Sequence, residues 1–261
     1  MASRPLAVVT GASAGIGREF ADILAREGYD LVLVARREAE LKALGDELQQ
    51  RHGATTTVAA VDLSQPDAAD QVLAAIGADT AVDVLVNNAG FGGHGAFADR
   101  PRGDEQRMLA VNITALTDLT RVLLPGMVKR GRGQVLNVAS TAAFQPGPFM
   151  AVYYATKAYV LSFSQAIAEE ARGTGVTVTC LCPGVTTTEF QQVAGVEDVP
   201  LTKGALSMSA RAVAEAGYAG MKRGKLIVIP GAHNKVGAQA TRVAPRQLML
   251  KVVRRLHPAD H

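Results

Sequence analysis

The hydrophobic positions of this chain fall into short unbroken runs, separated by stretches with a helical beat. The runs lie at 6–9, 31–35, 56–61, 82–86, 134–138, 176–181 and 226–229, and most are apolar at every position rather than at alternate ones. That is the pattern of strands covered on both faces. Between them the apolar residues recur at helical spacing. Ile16, Phe20, Ile23 and Leu24 form one such set, Leu41, Leu44 and Leu48 a second, and Val72, Leu73 and Ile76, after Pro66, a third. Longer helices are predicted over 105–122 and 153–171. Strands alternating with helices signal βαβ units, hence an α/β fold with a doubly wound parallel sheet and helices on both faces. No internal repeat or linker divides the chain. The predicted organisation is one domain over 1–231 and a separate extension over 232–261. The least regular stretch, about 186–208, is rich in Thr, Val and Gly, and a loop that long in a compact domain reads as a lid over a substrate.

Composition narrows the picture only slightly. Of the 261 residues 48% are apolar and 20% charged, the balance of a globular protein long enough to bury a full core. Two cysteines cannot make a disulfide scaffold or a four-ligand zinc site. Cys180 and Cys182 lie in an apolar run and read as buried thiols of a reducing cytosol, so a cytoplasmic location is expected. No apolar stretch approaches the length of a spanning helix, and the run at 6–9 is too short for a signal peptide. A net charge of +3 is too small to argue for nucleic acid. His52 and His233 lie in no pattern that suggests a metal.

The first strand runs into Thr10-Gly11-Ala12-Ser13-Ala14-Gly15-Ile16-Gly17, and a helix follows at once. A turn this tight needs residues that tolerate positive φ and let a pyrophosphate reach the backbone. The helix N-terminus beyond it offers free N–H groups and a dipole that favours an anion. The turn therefore reads as a dinucleotide site, although its glycines are spaced G-x3-G-x-G rather than G-x-G-x-x-G. The second strand indicates which dinucleotide. An NAD site places an acid there for the ribose hydroxyls. Here the strand ends in Arg36 and Arg37, which would welcome a 2′-phosphate. The expected cofactor is NADP(H). Glu38 is better placed to start the next helix.

Three further motifs follow in order: Asn87-Asn88-Ala89-Gly90 after the fourth strand, Ser140 at the end of the fifth, and Tyr153-Tyr154-Ala155-Thr156-Lys157 opening a helix. Together with the glycine turn, this set resembles the short-chain dehydrogenase/reductase family in its shorter, single-domain type. The resemblance runs from about residue 6 to residue 188 and implies a Rossmann-like sheet of seven parallel strands. It also implies a catalytic set of Ser140, Tyr153 and Lys157, assisted by Asn112. Tyr153 would give its proton to a carbonyl oxygen as hydride reaches the carbon, and Ser140 would bond the same oxygen. Lys157 would hold the nicotinamide ribose and, with the cofactor's positive charge, lower the tyrosine pKa. Asn112 would hold a water next to the lysine.

The cofactor contacts implied by the family fall on Gly11, Ser13, Gly15, Ile16 and Gly17 in the turn. Further along they fall on Asp62 and Leu63 at the adenine, and on Asn88, Ala89 and Gly90 at the adenosine ribose. Pro183, Gly184, Thr186 and Thr188 would lie near the nicotinamide, beside Tyr153 and Lys157 themselves. Thr186 departs from the family, where Val or Ile is usual. Tyr154 and Tyr159 read as packing residues, and His94 as a solvated loop histidine.

These residues lead to an NADPH-dependent carbonyl reductase, or the same enzyme run as an alcohol dehydrogenase. The rival is a non-catalytic NADP(H)-sensing protein on the same fold, which would be expected to lose Tyr153 or Lys157. An epimerase or dehydratase would need extra residues for a substrate domain. Phe144, Phe149, Phe190, Val193 and Leu201 make the expected substrate hydrophobic, and a homo-oligomer is the expected assembly. The segment from residue 232 carries six basic residues against Asp260 alone. Within it 246–256 is amphipathic, with Pro245 in the first turn and Pro258 as a stop. Its apolar face, Leu248, Met249, Leu250, Val252, Val253 and Leu256, must be buried. The alternatives are the protein's own body, a partner subunit, or an anionic lipid surface.

Overall fold

The computed structural model describes residues 4–78, 80–196 and 207–256. The first strands are β1 (Leu6–Thr10), β2 (Asp30–Ala35), β3 (Thr56–Ala60), β4 (Val82–Asn87), β5 (Gly133–Val138) and β6 (Val176–Leu181). A two-residue pair follows, β7 (Thr186–Thr187) with β8 (Met208–Ser209), and then β9 (Ile227–Val228). The main sheet has seven strands in the order β3-β2-β1-β4-β5-β6-β9, all paired in parallel. The order reverses direction between β1 and β4, and at such a switch point a cleft opens at the carboxyl ends of the strands.

Alternation along each strand explains why the runs are apolar throughout. Val9, Leu33, Val86 and Leu136 turn to one face and meet Phe20, Ile23, Leu24, Leu41, Leu44, Leu48 and Val213. These come from helices α1 (Gly15–Arg26), α2 (Glu38–His52) and α8 (Ala210–Lys222). Val8, Val32, Val34 and Leu85 turn to the other face and meet Val72, Leu119, Leu123, Met127 and Ile167. Those come from α3 (Ala68–Ile76), α5 (Leu116–Arg130) and α6 (Ala151–Glu170). Both layers are needed, because neither face of the sheet carries polar residues enough to stay wet.

The helix predicted over 105–122 is longer and irregular. It starts as α4 (Arg102–Leu109), widens into a π-helical stretch at Ala110–Ala115, and continues as α5. As one 29-residue helix it is apolar enough to cross a bilayer by length and composition, but Met108, Leu119 and Met127 are fully buried in the protein. The stretch read as a loop holds β7, the short helix α7 (Phe190–Ala194) and β8, with 197–206 outside the described residues. The C-terminal segment forms α9 (Ala232–Val243) and α10 (Arg246–Leu256). Val253 of α10 is buried on the protein's own body, whereas Leu248, Leu250 and Val252 are exposed. Pro258 lies outside the described residues.

Candidate active site

The turn between β1 and α1 is built to be touched by something large and anionic. Gly11 and Gly15 have φ of 66° and 54°, the left-handed region that glycine adopts without strain. A Cβ on Gly17 would stand 2.2 Å from the Gly11 carbonyl oxygen, and one on Gly11 would stand 2.8 Å from Asn88 Nδ2. No side chain caps α1, whose N-cap is Ala14, and its first turn carries no acid. Its leading N–H groups and its dipole are therefore available to an anion. These features fit the pyrophosphate of a dinucleotide.

Hydrogen bonds weld this turn to the end of β4. Asn88 Nδ2 donates to the carbonyls of Thr10 at 2.9 Å and Gly11 at 3.3 Å. Thr10 Oγ accepts from the backbone N–H groups of Asn88 and Ala89, each at 3.0 Å. The role of Thr10 was not foreseen; its only signal is a hydroxyl at the buried end of a strand. At the adenine side, Asp62 Oδ1 accepts from Ser64 N and Oγ at 3.0 and 2.9 Å. The backbone bond from Ser64, with help from the Arg36 charge, holds this carboxyl below its usual range against burial. Leu63 turns its side chain into the core, so a contact with adenine falls to its backbone. Arg36 and Arg37 are both exposed at the end of β2. Arg37 Nε and Nη2 donate to Ser13 Oγ at 3.3 and 3.1 Å.

The residues expected to be catalytic assemble at the carboxyl end of β5. Ser140 caps a 3₁₀ turn, accepting from Ala142 N at 3.1 Å, and its hydroxyl donates to the Pro183 carbonyl at 3.4 Å. Tyr153 and Lys157 lie one turn apart on α6, with Lys157 Nζ 5.8 Å from the Tyr153 ring centre. The ammonium is buried and donates to the Val138 carbonyl at 2.9 Å. Asn112 sits in the π-helical stretch, a rare conformation found mostly at functional sites. Its Nδ2 donates to Phe91 O at 2.9 Å and to Thr156 Oγ at 3.1 Å, and its Oδ1 accepts from Phe91 N at 3.1 Å. A Cβ on Gly90 would lie 3.1 Å from Asn112 Oδ1 and 3.3 Å from Lys157 Nζ, so three segments converge there.

The expected lowering of the tyrosine pKa involves the cofactor's positive charge as well as Lys157, and so concerns the loaded site. In the protein alone burial dominates and pushes Tyr153 up to about 12, opposed only by its hydrogen bond with Ser140. Burial likewise pulls Lys157 down to about 8. The phenol is thus held protonated, as a donor to a carbonyl oxygen requires. Past β6, Thr186 is buried, its hydroxyl spent on the Gly184 carbonyl at 3.0 Å. Thr188 Oγ accepts from Phe190 N at 3.2 Å. A Cβ on Gly184 would strike Asn234, so the loop with Pro183 and Gly184 lies tight against α9.

The far wall is apolar. Tyr153 and Phe190, with ring centres 5.3 Å apart, pack against Ala142, Met150, Tyr154, Ala194, Val196 and Val253. Tyr154 is a packing residue as expected, 6% exposed. His94 is not a solvated histidine. Its ring is half-buried, 6.3 Å from the Phe149 ring, because His94 N donates to Ala194 O at 3.1 Å and Gly95 N to Phe149 O at 2.9 Å. Phe149 has φ of 65°, a left-handed conformation that costs a non-glycine residue energy. The Arg254 guanidinium lies 5.8 Å from the same ring. Val253 was expected to be buried, and it is buried on the protein's own body; its place in this wall, the Arg254 contact and the strain at Phe149 were missed, since each depends on contacts far apart in sequence. Of the residues expected to line the substrate, Phe144 packs elsewhere, beside Val160 and Cys180; Val193 is 60% exposed, and Leu201 lies outside the described residues. A cleft of about 880 Å³ between the 143–148 loop, Tyr154 and α10 includes none of Ser140, Tyr153 and Lys157.

Known proteins share this arrangement. The sequence model of the short chain dehydrogenase family matches residues 5–197. The chain is 42% identical to the very-long-chain 3-oxoacyl-CoA reductase of Laccaria bicolor over 176 residues, 66% of this chain and 52% of that protein. It thus spans about half the length of that curated relative. The short-chain dehydrogenase from Sphingobium yanoikuyae, solved with NADPH, superposes at a TM-score of 0.84 and 33% identity, covering 98% of this chain and 99% of that one. The bulky-bulky ketone specific alcohol dehydrogenase from Comamonas testosteroni gives 0.79 at 30% identity, covering 99% and 98%. With the family's sequence model extending from the glycine turn through the catalytic helix, this chain belongs to the short-chain dehydrogenase family.

Proposed function

We propose that this protein is an NADP(H)-dependent oxidoreductase that interconverts a carbonyl and a secondary alcohol on a bulky, apolar molecule. The observation that carries this reading is a half-buried Tyr153, bonded to Ser140, one turn from the buried Lys157 and packed in an apolar cluster with Met150, Phe190 and Val253. Gly11 to Gly17 would take the pyrophosphate, Asp62 the adenine, and Arg36 and Arg37 the 2′-phosphate. Asn88, Ala89 and Gly90 would flank the adenosine ribose, and Pro183 to Thr188 the carboxamide. The nicotinamide supplies or takes the hydride when bound. In the reducing direction Ser140 orients the carbonyl oxygen, and Tyr153 hands it the phenolic proton. Lys157 offers positive charge beneath the ring, and Asn112 fixes the Phe91 backbone beside that charge. General acid help of this kind is worth about 10²–10⁴ in rate.

The similar proteins act, by name, on long-chain 3-oxoacyl thioesters and bulky ketones, and both classes suit an apolar wall. The test follows NADPH absorbance against 3-oxoacyl thioesters, bulky diaryl ketones and small polar ketones. Turnover of either large class and not of the small ketones supports the reading. Tight NADPH binding with no turnover on any of them favours the sensing alternative. Alanine at Arg36 or Arg37 should raise the NADPH KM more than the NADH KM, by about tenfold for a charged hydrogen bond.

We also propose peripheral contact with anionic lipid through the outer side of α10, where Leu248 and Val252 are exposed beside Lys251 and Arg255. Co-sedimentation with phosphatidylserine vesicles that weakens with salt supports it; no binding at low ionic strength rejects it.

A further inference from the structure

The cofactor reading leaves one carboxylate unexplained. Glu189 stands just before α7, and its two oxygens meet the Arg37 guanidinium, Oε2 at 3.0 Å from Nη2 and Oε1 at 3.4 Å from Nη1. The same guanidinium is held from its other edge by Ser13 Oγ, and Glu40 stands 3.9 Å from Nε. The fork that would bind two phosphate oxygens is therefore occupied by two carboxylate oxygens from the far end of the chain. The two anions present the same acceptor pair to an arginine and repel each other, so they cannot share the fork. Arg36 forms no such ion pair among the described residues.

Glu189 is also the middle of a stretch that touches three parts of the site. The Thr188 methyl lies 3.1 Å from where a Cβ on Gly15 would stand, against the pyrophosphate turn. Phe190, on the other side, packs its ring 5.3 Å from Tyr153. One short segment thus links the glycine turn, the arginine fork and the catalytic tyrosine.

We propose that Glu189 is a cofactor-specificity residue that works as a latch: its carboxylate holds Arg37 until a 2′-phosphate takes the guanidinium over, and the freed segment 188–190 then loosens from Tyr153. A dinucleotide without the phosphate leaves the latch shut, so discrimination arises at the lid as well as at the phosphate. This inference rests on Arg37 being the 2′-phosphate ligand. The pair is exposed, 41% and 55% at its side chains, so it competes only modestly and its removal does not threaten folding.

The test titrates 2′,5′-ADP and 5′-AMP into the full chain, Glu189→Gln and Arg37→Ala. Glu189→Gln should bind 2′,5′-ADP about two- to fivefold more tightly and 5′-AMP unchanged. Hydrogen exchange at the α7 amides should rise in the unaltered protein on adding 2′,5′-ADP but not 5′-AMP, and should already be raised in Glu189→Gln without ligand. Equal gains for both nucleotides, no gain for 2′,5′-ADP, or α7 exchange indifferent to it overturns the latch. Arg37→Ala separates the two readings. If it binds 2′,5′-ADP as well as the unaltered protein does, the assignment of Arg37 falls and the latch with it. If it binds weakly while Glu189→Gln is unchanged, the latch alone falls.

Discussion

On the adenosine side of the cleft, Thr10, Gly11, Asn88 and Ala89 are joined where two neighbouring strands end, by hydrogen bonds of 2.9–3.3 Å. On the substrate side, four segments meet at one strained residue. His94 comes from the loop after β4, Ala194 from α7, Arg254 from α10, and Phe149 stands between them at φ 65°. The first side is cross-braced by β1 and β4, which pair in parallel from Ala7–Val84 to Val9–Val86 after a register shift at Leu6. The second is held by two backbone bonds, His94 N to Ala194 O and Gly95 N to Phe149 O, and by the ring contacts of Phe149 with His94 and Arg254. The difference teaches where each kind of specificity sits. On the proposed reading, the pyrophosphate and adenosine ribose are met mainly by backbone braced between two strands, and the substrate by side chains from segments far apart in sequence, where local opening costs less.

The largest effect that would sharpen this comparison lies at the seam between the two sides. Tyr153→Phe should cut kcat by about 10²–10⁴ while leaving NADPH affinity unchanged, because only the proton donor is lost. Tyr154→Phe should keep most activity, since its ring packs on Gly147 and lies 6.0 Å from Tyr153 in an edge contact. Stopped-flow turnover with separate NADPH titrations checks both. Near-normal kcat in Tyr153→Phe would mean that the acid is another group.

Lys157 marks the same seam in the thermodynamics. Its folded pKa, about 8, lies below its ordinary 10.5, so the unfolded chain binds more protons between those values. Stability therefore rises with pH across that window, and the cost of the buried ammonium is fully present below pH 8. At about 1.4 kcal/mol per tenfold that cost is roughly 3 kcal/mol. Lys157→Met removes it and loses the bond to Val138, worth about 1 kcal/mol. The variant should be inactive yet more stable at pH 7 by about 2 kcal/mol, with a urea midpoint that no longer climbs between pH 8 and 10.5. A variant less stable than the parent at pH 7 would show that the ammonium is better solvated than its burial implies.

The same contrast explains what the sequence disclosed. The seven strands and the two helix layers were legible because each depends on spacing within one βα unit, whereas the set Asn112, Ser140, Tyr153 and Lys157, spread over three elements, was readable only as what the family resemblance implies. Phe20, Ile23 and Leu24 must share a face whatever lies around them, and Tyr153 and Lys157 must share a turn. The π-helical stretch at Asn112 was not legible, because Ala-Val-Asn-Ile-Thr-Ala carries no mark that distinguishes it from ordinary helix. Nor was it legible which part of the apolar face of 246–256 is covered. The amphipathic pattern of 246–256 says that an apolar face exists, but not that its Met249–Val253 edge turns inward while Leu248 stays out. The burial that set the Tyr153 pKa was likewise invisible, since it depends on how four distant segments close.

Removing α10 tests whether the two sides are separable. Truncation after Pro245 should leave NADPH binding within about twofold, because every group assigned to the cofactor lies before residue 189. It should lower kcat/KM for a bulky apolar substrate by about tenfold, the worth of one or two methylenes of pocket wall, through loss of Val253. The comparison breaks if NADPH affinity falls as far as kcat/KM does, since the rigid side would then depend on the movable one.

The smallest effect asks what holds α10 in place. Arg254 is exposed, yet its guanidinium lies 5.8 Å from the ring of Phe149, whose other neighbour is His94. A cation over an aromatic face at an exposed site is worth about 0.5–1 kcal/mol. That is enough to shift a two-state docking of the helix about two- to fivefold. Arg254→Gln, which keeps the length but not the charge, should raise hydrogen exchange at Val252 and Val253 by that factor. Arg254→Lys should fall between, because an ammonium keeps the charge and loses the planar stacking. If both variants exchange alike and like the parent, the ring contact contributes nothing, and α10 is held by its apolar contacts, Val253 foremost among the described residues.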